Sequence, residues 1–478
     1  MGQYDLRGLS ATVIGVAREG IALTRFLLEA GASVTLSDMK TAQQLGDALD
    51  DLQGLPVRLA LGGHPAELLE ADVLFLSPGV PLSSAFVRQA QARSIPIGSE
   101  PRLFAQLFAH PIVGITGSSG KTTTTTIIGL MLEAAGLRTW VGGNIGRPLI
   151  GALGDGPLAD WAVMELSSFQ LELMRPETQG PLTEEKRTAA SRAISLEGWS
   201  PTIAVVTNIT PNHLDRHSSM ENYIWAKGAI VDYQKPSDWA VANADDALAY
   251  ELATAGPGQH VQFSLQGPVD QGAFLAGDRL HLRLGDVEQV VCSSDEVQLR
   301  GTHNLANALA ACCAAGLAGV SVAAMREVLT TFRGVPHRLE VVRTWHGITF
   351  INDSIATAPE RAVAALRSIQ EPIILLAGGR DKHLPWDVWA DWVARRVRCV
   401  VAFGECAPLI REALQHLGER APRLVEAMDL ADAVENAVTQ AQPGDVVLLS
   451  PGGTSFDAYR DFEARGQHFR RLVGDLQG

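Results

Sequence analysis

Residues 114–127 read GITGSSGKTTTTTI, and their order decides the fold. Apolar, β-forming residues precede them at Pro111-Ile112-Val113, and a helical pattern, IIGLMLEAAG, follows. Strand, glycine-rich turn and helix start together make a phosphate cradle. The bare turn lets backbone N–H groups close on phosphate oxygens, and the helix terminus adds its dipole. In that reading Lys121 reaches toward β- and γ-phosphates, and the Thr122 hydroxyl serves Mg²⁺. The spacing is GxxGxxGKT, with Ile115 where the commoner P-loop has a glycine. Consecutive β-branched threonines lower helix propensity, so the first helical turn is expected to serve more than helix stability. The competing reading is a glycine turn that holds nothing.

Outward from this motif the chain divides into three α/β segments. The central one, 109–335, continues through WAVMELSSFQ and TIAVVTNITPNHLD, apolar strands that end in polar clusters. Between them, about 176–200 is polar and mixed in charge and reads as a surface insertion. Residues 1–108 alternate strands (LSATVIGV, ASVTLSD, DVLFLSPGV) with a helix, EGIALTRFLLEAG, that stops at Gly31. Residues 336–478 alternate again, with strands at EPIILLAGG, RCVVAFG and DVVLLSPGG. Such alternation predicts parallel sheets with helices on both faces. Ligands then gather beyond the carboxyl ends of the strands, here the turns at Gly15, Asp38 and Ser77-Pro78-Gly79.

Composition sets outer limits. The 478 residues are 46% hydrophobic and 19% charged, as in a soluble globular protein large enough for several cores. No apolar run has the length of a membrane span, and the first residues lack a signal-peptide layout, so the expected compartment is the cytoplasm. A net charge of −14 argues against a nucleic-acid partner. The five cysteines lack metal-ligand spacing and read as reduced and structural.

The turn GVAREG, with Asp38 closing the second strand, has the outline of a dinucleotide fingerprint. Ala17 replaces the middle glycine, where a pyrophosphate needs close backbone approach. A dehydrogenase reading also leaves the P-loop unexplained. A different nucleotide, held less intimately, fits better, and a plain βαβ unit without ligand stays open. Glu165 and His213 follow apolar strands where a metal beside a γ-phosphate would lie, with Asp215 near the latter. For His213 a hydrogen-bonding role is equally open. Lys227 sits in a predicted helix, where most lysines are solvated.

The segments GITGSSGKTTTT, VGGNIG, MELSSFQLE, TNITPNHLDRH, the AK of IWAKGAI, GTHNLANALAA, GVPHRLE, NDSIATAP and LLSPGGTSFDAYRDFEARG occur in this order. Together they resemble the D-glutamate-adding Mur ligases over nearly the whole chain. The P-loop, HNLANA and PHR elements are shared by all Mur ligases and by folylpolyglutamate synthase; ELSSFQLE, DSIATAP and SPGGTSFD point to the D-glutamate branch. The resemblance implies three domains: a Rossmann-like UDP-sugar domain at 1–108, a P-loop ATPase-like domain at 109–335, and a Rossmann-like amino-acid domain at 336–478. It implies an ATP-dependent amide ligase of peptidoglycan precursor synthesis. D-glutamate would join UDP-N-acetylmuramoyl-L-alanine through an acyl phosphate, with Mg²⁺, two ions, as cofactor. A monomer with small-molecule substrates and no membrane or nucleic-acid partner is expected. The alternative is a relative with another amino-acid substrate.

By the same resemblance, Gly117, Ser118, Ser119, Gly120, Lys121, Thr122, Thr123, Asn304, Asn307, Arg338 and Asp353 serve ATP. Thr122, Glu165, His213 and a carbamylated Lys227 hold metal, and Lys121, Glu165, His213 and Lys227 are the catalytic set. Arg18, Glu19, Asp38, Gly79, Asn144 and His213 take the UDP-sugar. Thr357, Lys382, Ser455 and Phe462 hold D-glutamate. Ile355 stands where some members have lysine, and Met39-Lys40 where some have Thr-Arg.

Overall fold

The computed structural model describes residues 4–144, 147–154, 158–180, 196–213, 216–299, 301–382 and 384–477, Asp47 by its backbone alone. Asp215, the Ile145-Gly146 part of VGGNIG and 181–195 of the expected insertion lie outside them.

The opening motif forms as its residues predict. Ile112–Thr116 is a strand buried along its whole length, and Lys121–Ala134 is the helix. The threonine run divides between two tasks. Thr124 and Thr125 turn inward and are buried, while Thr126 returns its hydroxyl to the Thr122 carbonyl at 2.8 Å. Two glycines are obligatory here. Gly117 has φ 148°, and a Cβ there would lie 1.9 Å from the Thr207 hydroxyl oxygen. At Gly120, φ is 81° and a Cβ would meet Asn307 Oδ1 at 2.3 Å. Only glycine adopts these conformations without strain and leaves the backbone bare.

Twenty strands build three sheets among the described residues. The first has β1 (Ser10–Ile14), β2 (Ser33–Asp38), β3 (Arg58–Leu61), β4 (Val73–Leu76) and β5 (Ile97–Gly98). Their order is β3-β2-β1-β4-β5, all parallel. The second has β6 (Ile112–Thr116), β7 (Thr139–Gly143), β8 (Trp161–Glu165), β9 (Ile203–Val206) and β10 (Trp239–Asn243), continued by β11 (Gln259–Ser264), β12 (Gly272–Ala276), β13 (Arg279–Leu284) and β14 (Val287–Ser293). Its order, β14-β13-β12-β11-β10-β9-β6-β8-β7, puts β6 between β9 and β8, so the strands that carry Glu165 and the TNIT stretch flank the P-loop. The order reverses at β1 in the first sheet and at β6 in the second, the places where parallel sheets open a crevice for ligands. The third has β15 (Glu340–Trp345), β16 (Ile348–Asn352), β17 (Ile373–Gly378), β18 (Val397–Phe403), β19 (Arg423–Glu426) and β20 (Val446–Gly452), in the order β15-β16-β20-β17-β18-β19. The central strands β6, β9 and β17 are apolar on both faces because helices cover both.

The chain divides into two compact units, Met1–Phe332 and Arg333–Gly478. Both of the first two sheets belong to the first unit, because they share one apolar cluster. Leu103, Phe104 and Phe108 pack in it with Leu149, Ile150, Leu171 and Met174. Arg102, almost fully buried, ties the same region by donating to the carbonyls of Leu173, Arg175 and Glu197. The described ends of the expected insertion are also anchored rather than loose. The Gln179 amide brackets the Ile97 backbone at 2.8 and 2.7 Å, extending the edge of β5. In the second unit, separate apolar clusters fill the two faces of the sheet. All five cysteines are buried and unpaired.

Candidate functional site

The P-loop is fastened from the strand beside it. Asn208, just beyond β9, accepts from the Ser119 N–H at 2.9 Å through its side chain and from the Ser118 N–H at 2.8 Å through its carbonyl. The Thr207 hydroxyl donates to the Ser119 carbonyl at 2.7 Å, and the Ser118 hydroxyl to the Thr210 carbonyl at 2.9 Å. The serine hydroxyls thus bind the neighbouring loop, while the helix that starts at Lys121 presents its N-terminus to the cradle. Lys121 Nζ curls over the loop to the Gly117 carbonyl at 3.0 Å. Neither Asn304 nor Asn307 caps its helix, Thr302–Leu317, whose N-cap is Gly301. Asn307 instead donates to Asn304 at 3.2 Å and lies against Gly120.

Glu165 ends β8 directly beneath this loop and is almost fully buried. One carboxylate oxygen accepts from the Thr122 hydroxyl at 2.8 Å and the other from the Asn144 amide at 2.8 Å. Hydroxyl and carboxylate oxygens side by side are the hard donors that Mg²⁺ prefers. Lys227 comes from the helix Met220–Gly228 and is 1% exposed. Its Nζ donates to Thr116 Oγ1 at 3.1 Å and to the Gly117 carbonyl at 3.0 Å, and lies 4.8 Å from the centre of the Tyr223 ring. Burial, reinforced by Lys121 and opposed by Glu165, pushes the Lys227 pKa well below the ordinary lysine value. Burial of this kind disfavours the charged form of a lysine.

At the tips of the first sheet, Asp38 accepts from the Val16 N–H at 2.8 Å and the Lys40 N–H at 2.9 Å, so it closes the GVAREG turn onto β2. Arg18 is exposed. Glu19 takes the Gln170 amide at 3.1 Å on one oxygen, and its other oxygen is buried without a hydrogen-bond partner. Burial raises its pKa to about 7. Gly79 lies in the turn closed by Val80 N–H on the Ser77 carbonyl at 2.9 Å, and faces open space. Asn144, expected among the UDP-sugar contacts, donates its amide to Glu165 at 2.8 Å. His213 has φ 54°, a strained conformation for histidine, and its ring lies 5.0 Å from that of Phe169.

The second unit gathers its own set. Asp353 is buried at the end of β16, accepting from the Ser450 hydroxyl at 2.8 Å and the Leu339 N–H at 3.2 Å. Burial raises its pKa to about 7. Lys382 is exposed and reaches Thr357 Oγ1 at 3.4 Å. Ser455 is buried, and Phe462 stands edge-on to His337 at 6.4 Å. Arg338 is exposed. Arg465, inside the quoted EARG stretch, was given no role in the sequence reading. It is fully buried and donates to Ser354 Oγ at 3.0 Å, the Ser354 carbonyl at 2.9 Å and the Gly453 carbonyl at 3.2 Å. Thr116, Thr207, Asn208 and Tyr223 were also missed. For Thr116, Thr207 and Asn208 the signal was the polar residue that closes an apolar strand, which marks a position but not a partner; Tyr223, inside the helix Met220–Gly228, has no such signal.

Three family models match successive parts of the chain. The Mur ligase MurD-like N-terminal domain matches residues 10–99, the Mur ligase middle domain 115–315, and the Mur ligase glutamate ligase domain 337–453. The UDP-N-acetylmuramoylalanine–D-glutamate ligase of Symbiobacterium thermophilum is 44% identical over 471 residues, 98% of each chain. That of Pelotomaculum thermopropionicum is 40% identical over 474 residues, 99% of each. Among solved structures, UDP-N-acetylmuramate–alanine ligase of Thermotoga maritima shares the fold, with TM-score 0.55 at 18% identity over 98% of this chain and 100% of its own. Cradle, sheet order and near-full-length identity therefore agree: this chain belongs to the UDP-N-acetylmuramoylalanine–D-glutamate ligase family of Mur ligases.

Proposed function

We propose that the protein joins D-glutamate to UDP-N-acetylmuramoyl-L-alanine at the expense of ATP, in cytoplasmic synthesis of the peptidoglycan precursor, as a monomer of three domains bounded at 1–108, 109–335 and 336–478. The observation that carries this reading is the convergence of Lys121, Thr122, Glu165 and Lys227 around one glycine turn, in a chain 44% identical to a ligase of that name.

The chemistry asks two things of these residues. As the γ-phosphoryl group passes to the substrate carboxylate, negative charge spreads over its oxygens and needs fixed positive partners. Lys121 and the N-terminus of the helix Lys121–Ala134 supply them. Thr122 and Glu165, with His213, would hold Mg²⁺, which when bound neutralises phosphate charge. The resulting acyl phosphate must meet an amine before water. The D-glutamate amine attacks its carbonyl carbon, the tetrahedral adduct expels phosphate, and the amine proton leaves. Thr357, Lys382, Ser455 and Phe462 are assigned to the amino acid, Asn304, Asn307, Arg338 and Asp353 to ATP, and the Gly15, Asp38 and Gly79 turns to the UDP-sugar. Lys227 is assigned a carbamate: its neutral amine would add CO₂ and release a proton, which would turn an amine into an anionic oxygen donor able to hold Mg²⁺.

Phosphate release by the purified protein, with ATP, Mg²⁺, UDP-N-acetylmuramoyl-L-alanine and single amino acids, tests the assignment. Release with D-glutamate is expected. Release with L-alanine or L-lysine but not with D-glutamate would overturn it.

A further inference from the structure

Within the first compact unit, a run of side chains that starts at Arg216 joins the turn Ser77–Val80 of the first sheet to the P-loop of the second. Arg216 follows His213 in the loop beyond β9. Its guanidinium donates to three successive carbonyls of the turn: Gly79 at 3.1 Å, Val80 at 2.9 Å and Pro78 at 3.5 Å. The same guanidinium stacks 4.8 Å from the centre of the Phe169 ring. Phe169 is packed against His213 at 5.0 Å and His217 at 5.4 Å. His217 is buried, bonds Ser168 Oγ at 2.9 Å and meets the Tyr223 ring edge-on at 5.4 Å. Tyr223 pairs its hydroxyl with Ser118 of the P-loop at 3.0 Å and offers its ring face to Lys227. A continuous set of contacts therefore runs from the turn carbonyls to the P-loop and the buried lysine.

We propose that Arg216 is a positioning residue that sets the Ser77–Val80 turn, and with it the nucleotide-sugar, in register with the phosphoryl-transfer cluster. This rests on the reading above that the turn binds the UDP-sugar. Its physical basis is the planar fork of arginine, which holds several carbonyls at once while its face packs on an aromatic ring. Three carbonyls turned toward one cation fix the orientation of the peptide planes on either side of Gly79, whose Cα borders open space. Plain mechanical linkage of the two sheets is served elsewhere. Arg102, buried in the shared core, bonds carbonyls of 173, 175 and 197, none of them in a strand-tip turn. Arg216 differs in meeting a turn at the carboxyl end of a strand, where substrates bind.

Arg216→Ala, Arg216→Lys and Phe169→Leu, each in the full chain, test this through the separate KM values for the three substrates and through calorimetric binding of UDP-N-acetylmuramoyl-L-alanine and of a magnesium complex of a non-hydrolysable ATP analogue. Loss of a charge-assisted set of bonds predicts that Arg216→Ala weakens the UDP-sugar by about tenfold or more, with ATP affinity within about twofold. Arg216→Lys recovers part of the loss, and Phe169→Leu shows a smaller loss of the same selectivity. An unchanged UDP-sugar affinity overturns the proposal. So does a parallel weakening of both ligands together with a fall in Tm, which is the signature of a strut. If the unmodified protein releases no phosphate with D-glutamate, the assigned reaction fails, while the binding comparison still reads the role of Arg216.

Discussion

Among the buried cations of the described residues, one in each compact unit is handled in the opposite way to the other. Lys227 is 1% exposed and Arg465 is 0% exposed. Arg465 distributes its charge over a hydroxyl and two carbonyls. Burial lowers its pKa only to about 10, so it stays charged at neutral pH and braces the loop after β16 against the end of β20. Lys227 has two oxygen acceptors and a ring face, with a second lysine nearby, and its pKa falls well below the ordinary value. The arginine is held as a permanent charge; at the lysine the charge is disfavoured. Residue type follows from that difference, because a guanidinium does not deprotonate in a protein and an ammonium readily does.

The largest effect expected from this contrast is at Lys227. Lys227→Ala should reduce D-glutamate-dependent phosphate release by at least about a hundredfold, the scale of losing one positioned charge at a phosphoryl-transfer site. Millimolar formate or acetate should restore part of it by standing in for a carbamate carboxylate. Lys227→Arg should not recover activity, because its charge cannot be shed. Normal turnover in the alanine variant would end the carbamate assignment, and a folded, inactive variant that no carboxylate rescues would count against it equally.

At Arg465 the effect should fall on stability first. Arg465→Ala leaves buried acceptors at Ser354 and Gly453 without their donor, a loss of roughly 1–3 kcal/mol for each stranded group. Arg465→Lys should lose a good part of this too, since one ammonium cannot reach the three acceptors that the fork spans. Urea unfolding of the full chain measures both. Losses below about 0.5 kcal/mol would mean that the two loops are fixed by other contacts and that the brace is incidental.

How far the sequence reveals these sites depends on what each residue signals locally. Strands such as VLFL, IAVV and VVLL were legible because a parallel sheet covered on both faces needs uninterrupted apolar runs. The P-loop was legible because its glycines answer to backbone geometry within a few residues. Arg465 was quoted within a motif yet given no role, since an arginine in an amphipathic helix reads as a surface charge. Its acceptors lie 111 and 12 positions away. The aromatic path through Phe169, His217 and Tyr223 was hidden for the same reason: each looks like an ordinary core or loop residue until the folded chain stacks them. The insertion near 176–200 was read as surface because it is polar. Gln179 nevertheless pairs with the edge of β5, a hydrogen bond that composition cannot forecast.

A buried group of the opposite charge sharpens the contrast by its sign. Glu100 is 2% exposed and accepts from the Ile150 N–H at 2.6 Å, while its second oxygen has no hydrogen-bond partner. Burial, and then the nearby Glu19 carboxylate, raise its pKa from the ordinary 4.5 to about 8. Below the unfolded value the proton is bound in both states. Between the unfolded and folded values the native protein keeps a proton that the unfolded chain has released, so stability falls as pH rises through that window. A glutamine imitates the protonated acid and does not titrate. The stability of Glu100→Gln relative to the natural chain should therefore improve between pH 5.5 and 8.5, by an amount on the order of 3 kcal/mol. Glu19→Gln should change in the same direction and by less, since the Glu19 pKa is raised only to about 7. Urea midpoints at pH 5.5, 7 and 8.5 give the comparison. A difference that stays constant across the three would mean that Glu100 ionises alike in folded and unfolded chains, and burial at this helix start would then not control its proton as burial at Lys227 does.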